Sequence, residues 1–188
     1  MSDRADMEAF WERWLEANRL CEGKKDWGPL ADFYAEDATY GWNCGPKDDF
    51  MAMGREEIRT IALGLEMRGL DGWSYPYQLT MIDEKQGMII GFWKQVSEQT
   101  RPDGSHYVVP GLGASWFGWE TGLFTWQRDF YDHMNAGVLF LEMIGNGQLS
   151  QGMTERIENG MNGVREPGHY KPSELPESLW PNEAGRQS

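Results

Sequence analysis

The fold class predicted by this sequence is α+β: a curved antiparallel sheet, closing into a cone, with N-terminal helices over one face. Two observations carry the prediction. Helical periodicity dominates the first 65 residues and returns only after the strands, and the stretch from Trp73 to Asp132 reads almost wholly as strand. Aromatic residues make up 13% of the chain, with ten Trp, which exceeds the ring surface a domain of 188 residues ordinarily needs for its core and is a first hint of a ligand.

The first helix runs from Met7 to Glu22, where Met7, Phe10, Trp11, Trp14, Leu15 and Cys21 fall on one stripe and Asn18 interrupts its apolar side. A second, shorter helix is expected from Trp27 to Tyr34, with Asp26 as N-cap and Pro29 in its first turn. Asp37 to Trp42 reads as a strand ended by Gly45-Pro46. A third helix starts near Gly54, carries Ile58, Ile61, Ala62 and Leu65, and stops at Gly69 and Gly72. Four extended runs follow, at Trp73–Asp83, Met88–Thr100, His106–Glu120 and Leu123–Tyr131, joined by turns such as Arg-Pro-Asp-Gly at 101–104. In the second of these, Phe92, Lys94, Val96 and Glu98 alternate with Trp93, Gln95, Ser97 and Gln99. Gly111, Gly113 and Gly118 read as bulges that curve the sheet. Two short helices are expected around Gly137–Ile144 and Leu149–Met161. Residues 1–165 thus read as one domain and 166–188, with Pro167, Pro172, Pro176 and Pro181, as an extended tail in which Trp180 could dock on a neighbour or lid the cavity.

Charge narrows the partners. Seventeen basic against thirty acidic residues leave a net charge of −13, which repels phosphate backbones and anionic headgroups, so neither nucleic acid nor membrane is an expected partner. No stretch approaches the ~20 apolar residues of a bilayer span, and the N-terminal MSDRADMEAFWERW has charges where a secretory leader needs an apolar run; a cytoplasmic location is the expectation. Cys21 and Cys44 are too few for a disulfide framework and lack zinc spacing. Asp129, Asp132 and His133 are the only local group of metal-ligand type, without HxH or HExxH spacing, so no metal is expected, and no nicotinamide, flavin or nucleotide signature is present.

The stretch Phe33-Tyr-Ala-Glu-Asp-Ala-Thr-Tyr40, then Gly54-Arg-Glu-Glu-Ile-Arg59, and later Trp126-Gln-Arg-Asp-Phe-Tyr-Asp132, resemble in order the blocks of the nuclear-transport-factor-2-like (SnoaL-like) superfamily over residues 7–145. The resemblance implies the cone fold and an interior small-molecule site. That superfamily includes ketosteroid isomerases, scytalone dehydratase, limonene epoxide hydrolase, polyketide cyclases, lyases releasing formaldehyde from lignin-derived dimers, and non-catalytic transport factors. Asp129 matches the Asp in the Trp-Arg-Asp-Tyr-Phe-Asp block of limonene epoxide hydrolase, and Tyr40 matches its water-positioning Tyr. The Arg and second Asp of that enzyme fall near Trp93 and Gln95, and the steroid isomerase carboxylate falls near Trp42, so both constellations are incomplete here. The dehydratase and lyase branches, and through them aromatic-compound catabolism, are the nearest in kind.

Read from the residues, Asp129 points inward if Arg128 faces solvent, which suits a general base; it could equally be satisfied by a helix side chain such as Asn18. Tyr40 offers a phenol to a developing oxyanion or serves as a core Tyr. His106, after a turn, is an exposed imidazole or a proton shuttle, and His133, beside Asp132, either faces the cavity mouth or packs at a helix start. Trp14, Trp42, Trp93, Trp116, Trp119 and Tyr131 are candidates for an aromatic cage, and Asn18, Asn43 and Gln95 for polar contacts to the substrate. The leading expectation is a cofactor-independent lyase acting on a bulky aromatic or polycyclic molecule, with isomerase, epoxide hydrolase, plain binder and interaction protein as alternatives. A homodimer or higher homo-oligomer is compatible with all of them.

Overall fold

The stripe of Met7, Phe10, Trp11, Trp14 and Cys21 is the buried face of α1 (Arg4–Lys24), and Asn18 is buried with it. Asp3 caps the helix by accepting from the Ala5 amide at 3.0 Å, and Lys25, in the left-handed region at φ 59°, ends it. The computed structural model describes residues 3–45 and 47–181; Pro46, read above as a strand terminator, and the tail beyond Pro181 lie outside the described residues.

The strands are β1 (Tyr34–Asn43), β2 (Asp49–Met53), β3 (Trp73–Ser74), β4 (Tyr77–Asp83), β5 (Met88–Trp93), β6 (Val96–Thr100), β7 (His106–Val108), β8 (Gly113–Glu120), β9 (Leu123–Phe130) and β10 (His169–Tyr170). Seven form one sheet in the order β10-β2-β1-β9-β8-β5-β4, and β3-β6-β7 form a second, small sheet. The expected all-antiparallel sheet is corrected to a mixed one, because β1 pairs parallel with β9. The β1–β2 hairpin occupies one edge of β1, and the β8–β9 hairpin returns its second strand to the other edge in the same direction as β1. Helix α1 lies on the inner face, with Phe10 edge-on to Phe124 at 4.8 Å and Trp11 and Trp14 against Phe117 at 5.4 and 5.3 Å between ring centroids. Rings of this size each bury a large apolar area, and here they pack against one another at the centre of the core.

Several elements differ from the sequence reading. The second helix is a 3-10 segment, Gly28–Phe33; Asp26 still accepts from the Gly28 amide at 3.1 Å, but Pro29 removes a donor from the first turn. The third is broken into a helical turn, Arg55–Glu57 (α2), a π-helical turn, Ile58–Ala62, and a 3-10 turn, Leu65–Met67. The Leu63 amide donates to the Ile58 carbonyl at 2.8 Å, a five-residue step, and a side chain at Gly64 would overlap the Thr60 carbonyl. The runs Trp73–Asp83, Met88–Thr100 and His106–Glu120 each split in two, at Tyr75-Pro76, Lys94-Gln95 and the Val109–Leu112 segment with its Pro110. The alternation across Phe92–Gln99 therefore spans two strands in two sheets.

The glycines also differ from expectation. A register shift occurs at Gly118/Trp119, but Gly113 and Gly118 chiefly make room for rings: a Cβ at Gly113 would overlap Trp93, and one at Gly118 would overlap Trp126. Gly111 lies outside the strand at φ 98°. Gly113→Ala is expected to displace Trp93, costing about 2 kcal/mol of stability as in other overpacked cores, measurable by urea unfolding.

Beyond the sheet come α3 (His133–Gly145) and α4 (Gln151–Met161). Helix α3 starts four residues before Gly137, because Asp132 caps it by accepting from the Asn135 amide at 3.0 Å. The segment read as an extended tail is laid onto the domain. β10 pairs with β2, and the guanidinium of Arg128 donates to the carbonyls of Ser178 and Leu179 at 3.2 and 3.1 Å. Arg128, expected to face solvent, is 2% exposed, because the tail covers the outer face of the sheet there; Trp180 sits edge-on to Trp116 on the same side. No helix among the described residues is long and apolar enough to cross a membrane.

Candidate active site

A cavity of about 370 Å³ lies between the inner face of the main sheet and the helices. From α1 come Trp14 and Asn18, from the 3-10 segment and the residue before it Leu30 and Trp27, and from β1 Tyr34, Tyr40 and Trp42. Tyr77, Trp93, Ser115, Gln127 and Asp129 project from β4, β5, β8 and β9. Ala136 and Phe140 of α3, Met153, Arg156 and Ile157 of α4, and Ala62, Leu63, Glu66, Met67 and Leu70 from the broken helical segment complete the lining with Tyr75, Gln95 and Tyr131. The period-two geometry of a strand explains why Gln127 and Asp129 share the inner face while Arg128 takes the other.

Asp129 is the chemical centre of this wall. Its Oδ2 accepts from the Tyr40 hydroxyl at 2.6 Å and its Oδ1 from Gln127 Nε2 at 2.8 Å. Gln127 is held in turn by the Tyr34 hydroxyl, which donates to its Oε1. Ser115, opposite Asp129 in the β8–β9 register, accepts from Trp93 Nε1 at 2.9 Å and the Tyr77 hydroxyl at 3.3 Å. Part of the Asp129 surface remains accessible on the cavity wall, yet protein encloses the group. Burial raises its pKa above the ordinary 3.8, with the hydrogen bonds from Gln127, Tyr40 and Ser115 opposing the rise. Burial, and then the nearby Asp129 charge, push Tyr40 well above the ordinary phenol value.

A second charged group borders the cavity. Glu66 accepts from Arg156 at 2.5 Å and bonds His169 Nε2 at 3.0 Å, while Arg156 also donates to the Glu66 carbonyl at 2.5 Å. Burial works to raise the Glu66 pKa, but His169 and Arg156 outweigh it and the carboxyl stays below its ordinary 4.5. The contribution of Glu66 to stability is therefore full above pH 4.5 and lost as the pH falls through the lower folded value. Glu66→Gln is expected to cost about 2 kcal/mol at neutral pH and to flatten this acid dependence, seen by thermal unfolding across pH; the amide keeps one acceptor for Arg156.

Of the residues singled out from the sequence, Asp129, Tyr40, Trp14, Asn18, Trp42, Trp93, Gln95 and Tyr131 line one cavity. The others do not. His106 is exposed at the start of β7 with Nδ1 on the Ser97 carbonyl at 3.0 Å, because the small sheet carries it away from the main one. His133 is the first residue of α3 and lies against Tyr131, 3.9 Å between ring centroids; Asp132 does not orient it, being occupied by Asn135. Burial lowers the His133 pKa, opposed by a backbone hydrogen bond at Asn43 and by Asp132. Asn43 points outward and donates to Asp49 at 2.7 Å. Trp116 lies on the outer sheet face against Trp126, and Trp119 is buried core beside Phe10. Asn18 donates to Glu22 at 3.2 Å; the partners of Asp129 are Tyr40 and Gln127.

Sequence reasoning missed Tyr34, Tyr77, Ser115 and Gln127. Alternation in β9 places Gln127 beside Asp129 once Asp129 is taken as inward, so that signal was present; Glu66 and Arg156 are 90 residues apart and had none.

No known family profile matches the sequence, and no curated protein matches it. Solved structures do. Bal32a, from a soil-derived mobile gene cassette, superposes with a TM-score of 0.54 at 15% identity, over 72% of this chain and 96% of its own. An NTF2-like protein from Anabaena variabilis gives 0.52 at 14% identity, over 70% and 94%, and one of unknown function from Mesorhizobium loti gives 0.50 at 14%, over 70% and 96%. The fold is NTF2-like, as the sequence blocks implied.

Proposed function

We propose that this chain uses its NTF2-like cavity to bind a bulky aromatic molecule and acts on it as a cofactor-independent lyase, with Asp129 moving the proton. The observation that carries the reading is the Asp129–Tyr40 pair on the cavity wall, a carboxylate with a raised pKa bonded at 2.6 Å to a phenol among aromatic rings. Such a carboxylate is a stronger base than an exposed one, and the rings exclude water from the reacting bond. Loss of formaldehyde from a 1,2-diaryl-1,3-diol needs this equipment. Asp129 takes the proton of the terminal hydroxyl, the carbon–carbon bond breaks to release formaldehyde, its electrons form the new double bond, and hydroxide leaves from the neighbouring carbon. The protonated Asp129 returns its proton to that hydroxide, so one carboxylate serves both halves of the step and the products are a stilbene, formaldehyde and water. Tyr40 holds the carboxylate in place throughout.

The test is formaldehyde release and product mass from a diarylpropane diol, with wild-type protein beside Asp129→Asn. Turnover by wild type alone supports the lyase; ligand binding with no turnover in either moves the assignment to a second reading, a binding module. That reading is favoured by one observation, that both Asp129 oxygens already accept hydrogen bonds from the protein.

A further inference from the structure

Helix α3 is apolar on both sides. Ala136, Leu139 and Met143 are buried against the domain, while Met134, Val138, Leu141 and Ile144 face outward, 80%, 63%, 66% and 43% exposed. A surface helix ordinarily turns polar and charged residues to that outer side, and one that is apolar all round belongs in an interior. Glu142 is the only acidic residue of α3, which has no Lys or Arg, and Arg101 holds Glu142 at the flank with bonds of 2.6 and 3.1 Å. The outward residues Met134, Val138, Leu141 and Gly145 follow steps of four, three and four, the seam spacing along which two helices pack. With Ile144 they leave on the order of 500 Å² of mostly apolar surface in water, close to the apolar share of the ~800 Å² that each partner gives to a standard interface.

We propose that α3 is a dimer interface, covered by α3 of a second copy of this chain in antiparallel register. Other occupants fit the face poorly. The seven residues after Pro181 are Asn-Glu-Ala-Gly-Arg-Gln-Ser, with a single Ala to offer it. A lipid surface is opposed by the net charge of −13 and by the lack of Lys and Arg on the helix. A second copy fits by size. Pairing about a twofold axis midway between Val138 and Leu141 sets Val138 of each chain against Leu141 of the other and Met134 against Gly145, so the most exposed side chain of the seam lies over a residue that has none. A Cβ at Gly145, or at Gly137 beside the seam, would touch nothing within 4 Å in the single chain, which leaves that room to the copy. Opposed helix dipoles favour the same antiparallel sense. The proposal is independent of what the cavity binds.

Sedimentation equilibrium of the full chain reads the state directly. At about 20 µM, wild type is expected at twice its 21.6 kDa, with a dimer Kd of about 1 µM. Leu141→Glu places a carboxylate in the seam and should raise that Kd about 100-fold or more, leaving a monomer; the position is largely exposed in the single chain, so far-UV circular dichroism should be unchanged. Leu79→Glu, 54% exposed on β4, adds the same charge to a different apolar position and should stay dimeric. A size swap tests the register: Gly145→Leu should weaken the dimer about tenfold by filling the place of Met134, and adding Met134→Ala should restore it. A monomeric wild type overturns the proposal, as does a dimer that Leu141→Glu leaves intact or one that both glutamate variants dissociate. Failure of Met134→Ala to restore the Gly145→Leu dimer overturns the antiparallel seam.

Discussion

Asp129→Asn is expected to reduce kcat on a diol substrate by about 10³-fold while leaving ligand affinity within a few-fold, because the amide keeps the shape of the carboxylate and loses its basicity. Stopped assays for formaldehyde, paired with quenching of the cavity Trp residues, separate the two quantities. The pH profile tests the same assignment. Burial lifts the Asp129 pKa above 3.8, so the ionised base is formed only above that raised value, and kcat/KM should rise with pH through it to a plateau. The linked stability has the opposite sense. Since the folded state holds this proton more tightly than the unfolded chain, the contribution of Asp129 is full below pH 3.8 and lost as the pH rises through the folded pKa. Asp129→Asn should abolish both dependences together; a wild-type activity profile flat across that range would remove Asp129 as the base.

Arg128→Ala is expected to be the most destabilising single change outside the cavity, lowering unfolding free energy by about 4 kcal/mol and the melting temperature by roughly 12 °C. The side chain is 2% exposed, and burial drops its pKa to about 10, opposed only in part by Glu177. Its stability comes from acceptors. Nη1 donates to the Thr39 and Gln127 carbonyls at 3.2 and 2.8 Å, Nη2 to Thr39 Oγ1 at 3.0 Å and to Ser178, and Nε to Leu179. Truncation to Ala leaves these carbonyls without their donor and releases the tail from the sheet. Near-UV circular dichroism during thermal unfolding measures the loss, and limited proteolysis should cut the variant first near Ser178. Unchanged melting would mean that the tail contributes nothing to the fold.

The site was partly legible in the residues themselves. Helical spacing placed Trp14 and Asn18 on the inward face of α1, and period-two alternation placed Asp129 opposite Arg128 in β9, because both patterns follow from local backbone geometry. Tyr40 entered through a resemblance between blocks and proved to be bonded to Asp129. The histidines failed as candidates for a tertiary reason. Nothing near His106 in sequence says that the chain leaves the main sheet at Lys94-Gln95, and that departure alone removes it from the cavity.

The sequence by itself determined the α+β class, the helical stripe of α1, the strand-rich middle and the placing of Asp129 and Arg128 on opposite faces of one strand, each of which depends on residues within a few positions of one another; which of the two faces is the cavity was decided by the fold. Only the tertiary structure decided which groups meet. Tyr34 reaches Gln127 across 93 residues, Tyr40 reaches Asp129 across 89 and Arg156 reaches Glu66 across 90. The parallel pairing of β1 with β9 brings the first two together, and the docking of α4 brings the third. Such contacts leave no periodic trace, because they arise from the burial of whole faces against one another and not from the dihedral preferences of either segment.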